Sequence, residues 1–310
     1  MEPIRANKNW TWVRMDEATQ QEISEFPDLP SASKRWAMLL SGHQNSNLEM
    51  DASEEGQEAM WGSIVYSQNV EIRSEKKMLH YYLMKDTLLT YGMDTSFFKD
   101  SEQKVLKYMD KAENAIEGFM VLIGEITSVF LRKIEYFEDQ MHDLLWSIKA
   151  KNDEPVFDQI MDNRYEILVW KNLVIPFMEI QEATVEAFGE TILEGSFYKR
   201  TCRRINRCHQ TIREYNEEIG HLIDLESIIS SHRGNEIVKT LTVITMFFTP
   251  VAAWGALWGM NFDVMPELKW KYGYLGAIIV IGLSTWGLYY YLKKKNWIGS
   301  VLKNSKDEKF

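Results

Sequence analysis

Two long uncharged stretches near the C-terminus limit what this chain can fold into more than any other feature. Thr240 to Phe262 (TLTVITMFFTPVAAWGALWGMNF) and Tyr272 to Leu292 (YGYLGAIIVIGLSTWGLYYYL) contain no Asp, Glu, Lys or Arg. Each is as long as a helix must be to cross a hydrocarbon core of about 30 Å. Trp258, Trp270, Tyr272, Tyr274 and Tyr289 to Tyr291 cluster at their ends, as in the aromatic belts of bilayer-spanning helices. The runs predict a transmembrane hairpin: a first span over 240–262, a connector over 263–271 and a second span over 272–292. Arg233 and Lys239 precede the first span and Lys293 to Lys295 follow the second, whereas the connector balances Lys269 and Lys271 against Asp263 and Glu267. The lysine-rich ends are therefore expected inside and the connector outside. That makes a multi-pass protein of the plasma membrane with both termini cytoplasmic.

What precedes the hairpin has ordinary globular composition. The net charge of -10 argues against nucleic acid, whose phosphates demand basic patches, and suits cations as partners. The two cysteines, Cys202 and Cys208, have no zinc spacing and no disulfide framework around them. The opening MEPIRANKNWTW lacks the apolar run of a secretory signal, so the N-terminal part is expected in the cytosol. No GxxxxGK(S/T), HExxH or GxSxG motif is present, and an enzyme is not expected.

Taken in order, residues 1–100 predict an α+β domain, an αβα sandwich-like sheet. NWTWVRM reads as a short strand, followed by a helix capped by Asp16 with Ile23 and Phe26 on one face. Ser41 to Gly56 reads as a polar loop holding a solvated His43. Trp61 to Tyr66, Lys77 to Lys85 and Thr87 to Tyr91 are rich in aromatic and β-branched residues, as strands are, the last returning antiparallel across Lys85-Asp86. Residues 101–195 predict two long antiparallel helices. The first has a single seam from Val105 to Ile148; the second runs from about Pro155 to near Gly195 with Pro176 inside it. A stalk helix over 196–239, with seam residues such as Ile205, Cys208, Ile212 and Ile219, should run unbroken into the first span, and a basic tail occupies 293–310.

A two-span subunit cannot enclose a path across the membrane alone, and any such path would need several copies around an axis, each giving one helix to the lining. The first span is the better lining. Counting back from Gly259 by threes and fours gives Ala256, Ala252, Thr249, Thr245, Leu241 or Thr242, Val238 and Asn235 on one face.

The connector gives the most specific signal. Gly259-Met260-Asn261 closes the first span, Met265-Pro266-Glu267-Leu268 follows, and a second span and a lysine-rich tail come after. In this arrangement, with Pro250 in the preceding helix, the sequence resembles the CorA family of magnesium channels. The segment LHYYLMKDTLLT is similar to that family's cytosolic sheet. The resemblance implies a pentameric funnel, a homopentamer in membrane lipid, with Gly259, Met260 and Asn261 as selectivity filter and Asp263 and Glu267 at the outer loop. It matches Asn235, Val238, Leu241, Thr249 and Ala252 to pore-facing positions, with Val238 and Leu241 as an apolar constriction, and Asp224 to a stalk acid at the inner mouth. Thr249 stands where the family often has a larger apolar residue, and Trp258 where it commonly has Tyr. Mg2+ is implied as the transported ion and, bound between acidic cytosolic faces, as a regulator.

Amides suit that cargo. Mg2+ dehydrates reluctantly, and a ring of Asn261 oxygens can accept hydrogen bonds from its water shell without gripping the ion. Two rivals stand beside this reading: the same architecture carrying Co2+, Ni2+ or Zn2+, and a membrane-anchored coiled-coil scaffold that conducts nothing.

Overall fold

The computed structural model describes residues 9–15, 36, 40, 45–70, 72, 75–94, 97, 102–150, 154–261, 263 and 265–297. The expected helix after Asp16, with Ile23 and Phe26, lies outside the described residues, as do His43 and the tail beyond 297. The chain divides into two compact units, Met1–Ile223 and Asp224–Phe310.

The first unit is built on a five-stranded sheet of β1 (Thr11–Met15), β2 (Asn47–Asp51), β3 (Ala59–Gln68), β4 (Lys76–Met84) and β5 (Thr87–Tyr91), in the order β1-β5-β4-β3-β2. β2 to β5 form an antiparallel meander, and β1 joins its far edge parallel to β5. The readings at Trp61, Lys77 and Thr87 hold. The loop expected over Ser41 to Gly56 does not: Asn47–Asp51 is an edge strand, held because each of its residues pairs with β3, Asn47 opposite Ser63 and Asp51 opposite Ala59. Only a glycine fits at Gly62, where a Cβ would collide with the Asn47 carbonyl.

Alternation along the strands sorts their side chains onto two faces. On one, Val13, Met15, Ala59, Trp61, Tyr82 and Leu89 pack with Trp36, which is itself in a helical turn. The other face lies under the two long helices Ala115–Ala150 and Glu154–Phe188, with Tyr81 against Phe119 at 4.7 Å between ring centroids. Two indoles tie down β1: Trp12 Nε1 donates to Thr90 Oγ1 at 2.9 Å, and Trp10 Nε1 to the Ala112 carbonyl at 3.0 Å.

Helices follow: α1 (Glu102–Met109), α2 (Ala115–Ala150), α3 (Glu154–Phe188), a 3-10 turn at Glu190–Glu194, and α4 (Ser196–Trp258). The single helix expected from Val105 to Ile148 is therefore two. The apolar spacing runs straight through the break, but Asn114 Oδ1 accepts the Glu117 amide (2.8 Å) and Glu117 Oε2 accepts the Glu113 amide (3.2 Å), which caps a new helix there. The second long helix likewise stops at Phe188, before Gly189 at φ 85°, instead of reaching Gly195.

The first turns of α4 are fastened to α2. Thr201 Oγ1 donates to the Met120 carbonyl (2.8 Å), the Phe197 amide to Glu117 Oε1 (3.3 Å), and Arg204 to the Gly124 carbonyl (3.1 Å). Glu125, 2 % exposed, is held by Lys104 of α1 at 3.1 Å and Arg204 of α4 at 3.5 Å. A buried carboxylate needs such partners. Cys208, as the helical seam requires, is fully buried.

α4 continues without interruption for 63 residues across the boundary between the units, as expected, with Pro250 inside it. In the second unit it is followed by a short α5 (Pro266–Lys269) and by α6 (Gly273–Lys294).

Candidate functional site

In the second unit, one side of α4 packs within the hairpin. Val243 and Pro250 are buried, Phe247 lies 6.2 Å from Tyr289 of α6 by ring centroid, and Leu292 is 1 % exposed. Phe247, Pro250, Trp254 and Trp258 follow at steps of three and four, Trp254 and Trp258 stacked at 5.3 Å. Sequence reasoning did not separate this inward stripe from the rest of the span, although that spacing carries it.

The predicted lining lies elsewhere on the helix. Asn235, Val238, Leu241, Thr245, Thr249, Ala252 and Ala256 are all exposed, as is Asp224 at the start of the unit. They share one stripe of a single helix, and among the described residues no part of the hairpin buries it. Thr242, the alternative to Leu241, is half-buried. Ile244, Phe248 and Val251 are exposed as well, so uncovered apolar surface extends beyond the stripe.

The threonines have settled hydrogen bonds. Thr242 Oγ1 donates to the Val238 carbonyl (2.7 Å), Thr245 Oγ1 to Leu241 (2.8 Å) and Thr249 Oγ1 to Thr245 (2.8 Å). Each hydroxyl proton is thus committed to the backbone one turn earlier, and each oxygen keeps its lone pairs as an acceptor.

Helix α4 ends at Trp258, short of the Phe262 expected, so Gly259, Met260 and Asn261 leave the helix. The Gly259 amide still reaches the Gly255 carbonyl at 2.9 Å and the Met260 amide that of Leu257 at 3.4 Å, a frayed last turn. Gly259 does not have a positive φ. Its requirement is space, since a Cβ there would stand 2.9 Å from the Gly255 oxygen. Met260 is 51 % exposed. Asn261 and Asp263 are exposed. Glu267 lies within α5, where Pro266 takes the first position, as a helix start favours; its side chain lies outside the described residues. The connector expected as loop thus contains a helical turn. Trp270 folds back on α6, its ring 3.2 Å from where a Cβ on Gly276 would be, and meets Tyr272 edge-on at 6.2 Å.

Both α4 and α6 contain windows of mean hydropathy 1.5, almost wholly uncovered in this chain, which is the property of helices that cross a membrane. Among the described residues no three His, Cys, Asp or Glu side chains converge as a metal site would require.

Comparison with known proteins bears on what such a hairpin does. The family model described as CorA-like Mg2+ transporter protein matches residues 7–294. The chain is 38 % identical over 306 residues to the magnesium transport protein CorA of Bacillus subtilis, covering 97 % of this chain and 96 % of that one. It is 35 % identical over 239 residues to the cobalt/magnesium transport protein CorA of Thermotoga maritima, covering 75 % and 68 %. Among solved structures, the CorA magnesium transporter of Methanocaldococcus jannaschii superposes with a TM-score of 0.67 over 93 % of this chain and 92 % of that one; at 16 % identity this speaks for the fold. The α+β unit, the long helices and the apolar helix pair are those of a family of transporters and not of enzymes, and the chain belongs to it: the CorA-like Mg2+ transporter proteins.

Proposed function

We propose that this chain is the subunit of a plasma-membrane Mg2+ channel, assembled as a homopentamer in lipid with both termini cytoplasmic, that passes hydrated Mg2+ inward. One observation carries the reading. An uncovered stripe from Asn235 to Ala256 runs along a single helix and leads to the exposed amide of Asn261. The name of the Bacillus subtilis relative supports Mg2+ as the ion.

The chemistry follows from the water shell. A hydrated Mg2+ presents outward-pointing hydrogens, so what holds it is a set of acceptors. At the outer mouth these are the Asn261 oxygens, the filter formed with Gly259 and Met260. The negative charges of Asp263 and Glu267 raise the local cation concentration there. Further in, Thr249 and Thr245 offer oxygens whose own protons already face the backbone. Ala252 and Ala256 leave width for a hydrated ion. Leu241 and Val238 form the apolar constriction, which gates by losing its water. Asn235 and then Asp224 receive the ion at the inner mouth. The driving force is electrical: an interior negative by 100 mV pulls a divalent ion inward by about 4.6 kcal/mol.

Intracellular Mg2+ would restrain this flow, and the α2–α4 fastening gives the first unit a grip on the pore helix. Because the described residues of one chain gather no metal-binding cluster, a regulatory ion would be shared between copies. A second reading, with Co2+ as cargo, is favoured by the name of the Thermotoga maritima relative.

The test is uptake by liposomes containing the purified protein under an inside-negative potential, with Co2+ and Zn2+ as competitors. Wild type takes up Mg2+, and Asn261→Ala loses at least 90 % of the rate by our expectation while keeping its assembly size; that figure corresponds to about 1.4 kcal/mol. Unchanged uptake in Asn261→Ala, or no divalent flux at all, overturns the proposal.

A further inference from the structure

The first unit contains a groove of about 430 Å³ between α2, α3 and the end of β3, within the range of small-molecule sites. It opens beside the point where the register of β3 against β4 shifts, between Val65 and Ser67. Its floor is apolar, from Val129, Phe130, Val169 and Leu173, and its rim carries Arg132 and Lys133. In a chain with 45 acidic residues against 35 basic ones, neighbouring cations are expected to find carboxylates. Among the described residues, neither of these forms an ion pair.

Lys133 is held in place by another means. Its Nζ stands 5.4 Å over the ring of Trp170, whose Nε1 donates to Glu166 Oε1 at 3.3 Å. Phe130 meets the same indole edge-on at 5.5 Å. The Lys133 side chain is exposed, yet local desolvation pushes its ammonium below its ordinary value, opposed by the nearby Glu166 carboxylate. An ammonium so placed gains from an incoming anion. Next to it Tyr136 presents a ring that is 67 % exposed, and Ser67 and Gln68 bring a hydroxyl and an amide to the opposite wall.

We propose that this groove binds a nucleoside monophosphate, with the phosphate between Arg132 and Lys133, the base against Tyr136 and the floor, and Gln68 and Ser67 reading polar edges. A guanidinium fork beside an ammonium matches a phosphate, and an aromatic ring next to apolar side chains suits a flat base. The charge count selects among phosphates. Among the described residues that line the groove, two cations and one acid leave a single net positive charge, which balances a monophosphate far better than a triphosphate. This site does not depend on the transport reading.

Calorimetric titration of the full chain in detergent tests it with adenosine monophosphate, adenosine, inorganic phosphate and adenosine triphosphate. The monophosphate should bind saturably, and each of the other three at least about tenfold more weakly. Arg132→Gln and Lys133→Met should each weaken the monophosphate about tenfold or more with an unchanged thermal melt; Arg132 is exposed, so its replacement leaves the core intact. The proposal fails if no saturable binding appears below millimolar concentration, if phosphate alone or the triphosphate binds as well, or if both variants bind like wild type.

Discussion

Large apolar side chains occupy both units, but their surroundings are opposite. In the first unit Phe119, Tyr81 and Leu79 are 0 % exposed; in the second, Phe248 is 67 %, Trp286 65 % and Tyr274 83 % exposed. The first unit buries an apolar core within its own chain, though side chains such as Tyr136 and Trp146 stay exposed. The second cannot, because two helices have too little facing surface to cover each other. Its apolar surface needs company from outside, and the proposed function assigns lipid to one part and further copies to another. Along α4 itself, Thr201 bonds across to α2, whereas Thr245 and Thr249 bond within their own helix.

Substitutions can break or sharpen this contrast. The largest effect should come from Phe119→Ala, which empties a filled site under the sheet and should lower stability by about 3–5 kcal/mol, read as a fall in the thermal midpoint of the first unit. Gly124→Val comes next. A Cβ there would stand 2.6 Å from Thr201 Oγ1, so α2 and α4 must separate, at about 1–3 kcal/mol by denaturant titration.

A pH effect follows in size. Burial pushes the Cys208 thiol up to about 12, so the folded state keeps a proton that the unfolded chain releases from about pH 8.5. The stability tied to that proton is complete below pH 8.5 and disappears as pH rises toward 12, by at most about 1.4 kcal/mol per pH unit. Raised tyrosines such as Tyr82, also pushed to about 12 by burial, add to the loss above pH 10. Cys208→Ala should make the decline between pH 8.5 and 10 shallower in melts recorded across that range. The smallest effect should be that of Phe248→Ala, which should move the melting of the first unit by less than about 0.5 kcal/mol. A large shift there would mean that this ring is packed by the first unit and would undo the contrast.

The elements that could be read from the sequence were those whose signal is local. The uncharged runs, Gly259-Met260-Asn261 and the aromatic strands β3 to β5 each declare themselves within a few residues. β2 did not, because NLEMD is polar, half exposed and made a strand only by pairing with β3. The break before Ala115 was hidden because Val105, Met109, Ala112 and Ile116 keep helical spacing through it, while two polar side chains, Asn114 and Glu117, enforce it. At the site, the exposed stripe of α4 follows from periodicity. The early end of the helix at Trp258 and the outward Met260 do not, since both depend on how the last turn frays.

Pro250 gives the long helix a weak point, as Pro176 gives α3. A proline has no amide proton, so the carbonyl of Met246, one turn earlier, loses its usual rung in the ladder. Bending is cheapest where a rung is missing, which makes this the natural elbow of an otherwise uniform rod. Pro250 stands one residue after Thr249 and well beyond Val238 and Leu241. A tilt at that elbow would swing the end that carries Asn261 and leave those two side chains where they were.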